Sequence, residues 1–216
     1  MTTVETVCVF CGSSTGADPA FTAAAERFGS AVAERGIELV YGGASVGLMG
    51  VVANAALAAG GRATGVITES LAGHEIAHGT LSDLHVVNTM HERKALMSEL
   101  SDAFVMLPGG FGTYEEFMES VTWAQLGIHD KACGILNVDG FFDDLLVFVR
   151  HAVAQGFIKA HQVDALVIAD DVDELLSGIA GPPQNQVPAQ ALPGSSSTSR
   201  SSSVSPQSAR SSATEA

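Results

Sequence analysis

Along the first 180 residues, short runs of β-branched and apolar residues alternate with longer stretches in which apolar side chains recur at helical spacing. The runs TVCVFCG (6–12), IELVYGG (37–43), RATGVIT (62–68), LHVVNT (84–89), DAFVMLPGG (102–110), KACGILNV (131–138) and DALVIAD (164–170) predict seven strands. Between most of them lie helical patterns, among them FTAAAERFGSAVAERG, GLMGVVANAALAAG, MHERKALMSELS, TYEEFMESVTWAQLG and FFDDLLVFVRHAVAQG. The strands are almost continuously apolar, as strands covered on both faces must be. Alternation of such strands with helices predicts an α/β fold, a Rossmann-like doubly wound parallel sheet with helices on both faces. Ligands of such sheets bind outside the carboxyl ends of the strands. Several of these strands end in glycines.

The pattern stops near residue 180. The segment 181–216 holds five of the seven prolines and eleven serines, and no aromatic residue. Too little apolar surface is present there to offset the entropy of ordering, which predicts a folded Rossmann-like domain over 1–180 followed by a disordered Ser/Pro-rich tail over 181–216.

Charge narrows the partners. Ten basic against 24 acidic side chains give −14 over 216 residues. The tail contributes only Arg200, Arg210 and Glu215, so the remainder carries 8 basic and 23 acidic groups, or −15. This argues against nucleic acid and anionic membranes as partners. No run approaches the roughly 18 apolar residues of a membrane helix, and the start MTTVETVCVF has no basic n-region, so a soluble, cytoplasmic protein is expected. Cys8 and Cys11 have the spacing of a C-x-x-C motif, but on a strand positions i and i+3 point to opposite faces. They are expected to be buried small hydrophobes.

Three segments carry candidate chemistry. In Leu107-Pro108-Gly109-Gly110-Phe111-Gly112-Thr113-Tyr114-Glu115-Glu116 a strand ends, glycines follow, and a helix is predicted from Thr113. Its unpaired amides and dipole form an anion cradle, with phosphate the obvious guest. Thr113-x-x-Glu116 also has the form of a capping box, so a purely structural role stays open. In Thr89-Met90-His91-Glu92-Arg93-Lys94 a second capping box precedes the chain's only adjacent pair of basic residues. Cations in a first helical turn oppose the dipole, so the pair either holds an anion or is a solvated surface pair. Were the strands before Arg93 and Gly109 neighbours as well as consecutive, Arg93 and Glu116 would enter one crevice. The third segment, Tyr41-Gly42-Gly43-Ala44-Ser45-Val46-Gly47-Leu48-Met49-Gly50, lacks the dinucleotide fingerprint, as does Phe10-Cys11-Gly12-Ser13-Ser14-Thr15-Gly16. No Walker loop occurs either. NAD and P-loop chemistry are therefore rejected. The glycines of both loops fit either close approach to a nucleotide or tight turns and helix packing.

His74-Glu75-Ile76-Ala77-His78 matches the zincin pattern H-E-x-x-H, but Gly73 and Gly79 bound it too closely for a stable zinc-binding helix, and no metal site is expected. The apolar stretch around Met118, Val121 and Trp123 is expected to serve the core first and an interface second.

Taken together, PGGFGTYEE and the upstream MHERK resemble the LONELY GUY family of cytokinin-activating phosphoribohydrolases. The shared motif is P-G-G-x-G-T-x-x-E with an Arg-Lys pair, the Arg lying 23 residues before the final Glu (93 to 116). VFCGSS, YGGxxxGLMG, VTWAQLGIHDK (121–131) and GILNVDGFFD (134–143) are also similar to that family, and the resemblance spans about residues 5–180. One departure is Ala44, where the family usually has a third glycine. Relatives often carry the label lysine decarboxylase, yet nothing in the sequence resembles a pyridoxal-phosphate site.

The resemblance implies hydrolysis of the N-glycosidic bond of cytokinin riboside 5'-monophosphates, with AMP a poorer substrate, to free base and ribose 5-phosphate. It implies no cofactor, and a homodimer or larger assembly. Arg93 and Glu116 would be catalytic. The implied substrate-binding residues are Glu75, Arg93, Lys94, the loop Gly110, Phe111, Gly112, Thr113, Tyr114, Glu115 and Glu116, and Thr122; Glu75 would act from an adjacent loop or across a subunit interface. The alternative from another class is a non-catalytic nucleotide or cofactor carrier, which needs no carboxylate aimed at the sugar.

Overall fold

In the computed structural model residues 4–72 and 77–181 are described. Seven strands form one sheet: β1 (Thr6–Phe10), β2 (Glu38–Tyr41), β3 (Ala63–Thr68), β4 (Asp83–Val87), β5 (Ala103–Met106), β6 (Ala132–Leu136) and β7 (Val167–Ala169). All pair in parallel, in the order β4-β3-β2-β1-β5-β6-β7. Parallel neighbours cannot be joined by tight turns, so helices make the crossovers. These are α1 (Pro19–Glu34), α2 (Gly47–Ala58), the single turn α3 (Glu69–Ala72), α4 (Met90–Glu99), α5 (Phe111–Gln125), α6 (Asp143–Ala154) and the short α7 (Ala160–Asp164), while α8 (Val172–Ile179) follows the last strand.

Alternation along the strands divides the core in two. Val7, Val9, Leu39, Tyr41 and Val105 meet Phe28 and Val32 of α1, Leu48 and Val52 of α2, and Leu175 and Ile179 of α8. Cys8, Phe10, Val40, Val66, Phe104 and Met106 face the other way, against Met97 of α4, Phe117 of α5 and Leu146 of α6. Cys8 and Cys11 fall in opposite layers, as their spacing requires, and burial pushes both thiols up. The core face of α5 is Thr113, Phe117, Ser120 and Ala124. Of the expected trio only Val121 packs against the core cluster, while Met118 and Trp123 stay half-buried.

The strands before Arg93 and Gly109 are not neighbours: β4 is the sheet edge and β3, β2 and β1 separate it from β5. The crossover helix α4 closes that gap. Helix α5 begins at Phe111 rather than Thr113, because Gly110 takes an extended backbone and serves as N-cap. The Thr89–Glu92 capping box of α4 is present, with Glu92 N donating to Thr89 Oγ1 at 3.1 Å and Thr89 N to Glu92 Oε2 at 3.1 Å. The tail expected beyond Gly181 lies outside the described residues.

Helices α1 and α2 touch through small residues. A Cβ on Gly29 would lie 2.3 Å from the Val52 carbonyl oxygen and 2.9 Å from the Ala55 Cβ. Gly29→Ala is therefore expected to destabilise the protein by about 1–3 kcal/mol through overpacking, although alanine gains about 1 kcal/mol in helix propensity. Thermal unfolding should show a lower Tm, and an unchanged or higher Tm would contradict this packing.

Candidate functional site

The chain leaves β1 towards β2 but leaves β5 towards β6, so a crevice opens at the carboxyl ends of these two neighbouring strands. The loops beyond them are tied together, with Gly12 N donating to the Pro108 carbonyl at 3.0 Å. A Cβ on Gly109 would stand 2.8 Å from Gly12 N and 2.2 Å from Thr113 Oγ1. Glycine at 109 is what lets the two loops and the buried Thr113 converge.

Two of the helices that start at this edge, α2 and α5, differ in how they begin. At α2 the Leu48 and Met49 amides donate to the Gly12 carbonyl at 3.0 and 3.4 Å, so this helix start is already partnered by the chain itself. Ala44 is fully buried and makes a bridge with Ala77. Among the described residues only Asp139 combines a side chain with a positive φ, so the backbone at 44 does not require glycine. At α5 the N-cap Gly110 supplies no side-chain cap, and the first-turn amides have no intrahelical partner by construction. A Cβ on Gly110 or Gly112 would meet nothing within 4 Å, and Phe111 is 93% exposed, so this helix start faces open space. Tyr114 is half-buried and packs edge-on against Phe142 at 6.4 Å.

Arg93 and Glu116 meet. Arg93 Nη1 donates to Glu116 Oε1 at 2.6 Å, and the two side chains are only 7% and 13% exposed. The Thr113–Glu116 capping box is thus not formed; the glutamate turns to the arginine instead. Arg93 is the fourth residue of α4 and points into the sheet. Its Nε donates to the Val66 carbonyl of β3 at 2.9 Å. A Cβ on Gly42, just beyond β2, would lie 2.4 Å from its Nη2. A side chain from beyond the edge strand is therefore held by β3, lies over the end of β2, and ends on α5. Burial pushes the Glu116 carboxyl above its ordinary value, and the Arg93 guanidinium pulls it back only in part. A sheltered ion pair adds little net stability after desolvation, so its presence is better explained by chemistry than by folding.

Lys94 behaves differently. Its ammonium contacts Glu115 Oε1 at 2.5 Å and Glu119 Oε2 at 3.0 Å. Burial pulls it down, but the two carboxylates outweigh this and hold it above its ordinary value. Thr122 is exposed two turns beyond Glu116, and its hydroxyl donates to the Met118 carbonyl at 2.7 Å. Glu75 lies outside the described residues, as does His74; His78, the other histidine of that motif, is buried with Nε2 3.1 Å from Asn54 Oδ1. Among the described residues no three His, Cys, Asp or Glu side chains stand together as metal ligands. The Val66 carbonyl and Glu119 escaped the sequence reading, as did the use of Gly42 to make room for Arg93 rather than for a nucleotide. Only Glu119 left a trace there, through its i,i+4 spacing from Glu115.

The chain matches the family model described as "Possible lysine decarboxylase" over residues 49–179. It is 46% identical over 181 residues to a cytokinin riboside 5'-monophosphate phosphoribohydrolase of Rhodococcoides fascians, covering 83% of this chain and 91% of that one. It is 47% identical over 170 residues to the enzyme of the same name, LOG2, from Arabidopsis thaliana, covering 79% and 80%. Among solved structures, the molybdenum cofactor binding protein of Rippkaea orientalis superposes with a TM-score of 0.61 at 21% identity, covering 80% of this chain and 93% of that one. At that identity the likeness is one of fold.

Because Arg93 holds the Glu116 carboxyl down against burial, Arg93→Gln is expected to raise the Glu116 titration midpoint further. Carboxyl-detected NMR titration would show it, and an unchanged or lower midpoint would contradict the pairing.

Proposed function

The chain belongs to the LONELY GUY family, and from that premise we propose that it hydrolyses the N-glycosidic bond of cytokinin riboside 5'-monophosphates, and of AMP as a poorer substrate. The products are the free base and ribose 5-phosphate. The observation that carries this reading is the buried Arg93–Glu116 contact beside an uncapped helix start.

The 5'-phosphate occupies the open start of α5, where the amides of Phe111, Gly112 and Thr113 and the helix dipole receive it. Anchoring there fixes the ribose and contributes binding energy remote from the reacting bond. As the bond from C1' to the base nitrogen breaks, positive charge builds on the sugar ring. The Glu116 carboxylate, two turns into α5, stabilises that charge and takes a proton from the attacking water. The water oxygen bonds to C1', and the base leaves with the bond's electron pair and gains a proton. Arg93 offsets charge between phosphate and carboxylate and holds the ribose. The chemistry calls for no metal or cofactor.

Of the other residues the family pattern puts at the substrate, Lys94, Tyr114 and Glu115 flank the pair, and Glu75 is assigned by that pattern alone. Thr122 lies about 9 Å along the helix from Glu116 at 1.5 Å per residue. Its contact with substrate therefore fits the site of a second copy, in keeping with a homodimer or larger assembly. Residues 1–180 form the catalytic domain and 181–216 a tail outside the chemistry. Among the described residues no helix is long and apolar enough to cross a membrane, in keeping with a cytoplasmic enzyme. The rival reading, a non-catalytic carrier, leaves a sheltered carboxylate beside the sugar without a task.

Incubation with AMP and isopentenyl-AMP followed by chromatography should release free base, faster from the latter. Glu116→Gln and Arg93→Ala are each expected to lower release at least about a hundredfold with the fold retained by circular dichroism. Binding of AMP without any release by the unaltered protein would establish the carrier reading instead. The pH profile gives a second check. Glu116 works ionised and its midpoint is raised, so kcat/KM should fall on acidification through a value above that of an ordinary glutamate. An acid limb at or below the ordinary value would exclude Glu116 as the titrating group.

A further inference from the structure

Resting on that assignment of Arg93 and Glu116, we propose that Lys94 is a positioning residue rather than a phosphate ligand, and that Glu119, together with Glu115, is what makes it one. The ammonium lies between α4 and α5, and its side chain is only 11% exposed although it belongs to a lysine. Glu115 and Glu119 stand one turn apart on α5, where two like charges repel each other unless a cation sits between them. Lys94 supplies that cation, with both carboxylates at hydrogen-bond distance.

Helix α4 needs such a tie. Met97 is its one fully buried apolar residue, Leu96 packs against the same core only in part, and Lys131 holds its far end through the Ser98 carbonyl, so the near end relies on polar ties for its place over the sheet. Two adjacent cations, Arg93 and Lys94, instead pin it to two adjacent carboxylates, Glu116 and Glu115, with Glu119 completing the second contact. The lysine contact sets the spacing between the helices at which the guanidinium reaches Glu116. Charge also speaks against Lys94 as the anion site. These five groups sum to −1, and a phosphate brought to the ammonium would face two carboxylates already bound to it. The uncapped start of α5 offers amides with no such competitor.

The test exchanges the charges. Lys94→Glu and Glu119→Lys are made singly and together, and AMP hydrolysis is followed. In the double variant the ammonium brought in at 119 stands between the carboxylate brought in at 94 and Glu115, so one cation still bridges two carboxylates. Each single change is expected to lower kcat more than about tenfold while KM for AMP moves less than about threefold; the double variant should regain most of the lost kcat. Single variants with normal kcat would overturn the proposal. So would a double variant as impaired as Lys94→Glu with a raised KM, which is the behaviour of a phosphate ligand. If Lys94→Glu does not fold, Glu119→Gln removes one contact with little change of shape and should lower kcat several-fold; full kcat would again overturn the proposal. If the unaltered protein releases no base, the assignment of the reaction fails, and the Glu116 carboxyl titration decides the present point separately. The telling variant is Glu119→Lys: the cation it adds would by itself lower the Glu116 midpoint, so a rise there reports a loosened Arg93, whereas a fall means no positioning.

Discussion

A charged side chain from beyond the edge of the sheet reaches the sheet's middle, and the site depends on that reach. Arg93 belongs to the crossover that carries the chain back from β4 past β3, β2 and β1 to β5. It can meet Glu116 only because a β3 carbonyl takes its Nε and because residue 42 has no side chain in the way. Sheet order, a missing Cβ and one backbone acceptor therefore set the geometry of a contact whose partners are 23 residues apart.

The division of labour at the strand ends follows from how each helix start is finished. Helices α1, α4 and α8 carry side-chain caps from Asp18, Thr89 and Asp171. The start of α2 is closed by a carbonyl of the neighbouring loop. The start of α5 has neither, and it adjoins the loop joined to Gly12 across the switch between β1 and β5. Of the glycine-rich turns after β1, β2 and β5, the one after β5 is therefore where the proposed phosphate site has unpartnered amides to offer.

Much of this was legible in the sequence, for identifiable reasons. The central strands announced themselves because they are covered on both faces and are therefore written almost wholly in apolar residues, while the more exposed edge strand β4 still showed through Leu84, Val86 and Val87. The opposite facing of Cys8 and Cys11 followed from strand geometry alone. Helix α8 went unread although Asp171-x-x-Glu174 and apolar residues at 172, 175, 176 and 179 spell its cap and its buried face; the short β7 run before it drew attention away. The order of the strands was not legible, since nothing local tells β4 to lie at the edge. Arg93 and Glu116 were nonetheless paired correctly, though by likeness to a family and not by adjacency of their strands. The start of α5 was placed two residues late because Thr113 and Glu116 imitate a cap, and the glutamate found a stronger partner in a guanidinium that no local pattern reveals. What was missed at the site, the Val66 carbonyl's bond to Arg93 and the room Gly42 leaves for that side chain, are contacts between distant segments made by backbone.

The cations nearest the crevice are already matched to carboxylates, and the whole chain bears an excess of fourteen negative charges. A doubly charged nucleotide thus diffuses up an electrostatic hill and is welcomed only within the last few ångströms, by peptide dipoles. Moderate ionic strength flattens the hill more than it weakens the short-range welcome. On the proposed site, encounter in this protein should accordingly be quickened by salt, the reverse of what a basic phosphate-binding surface experiences.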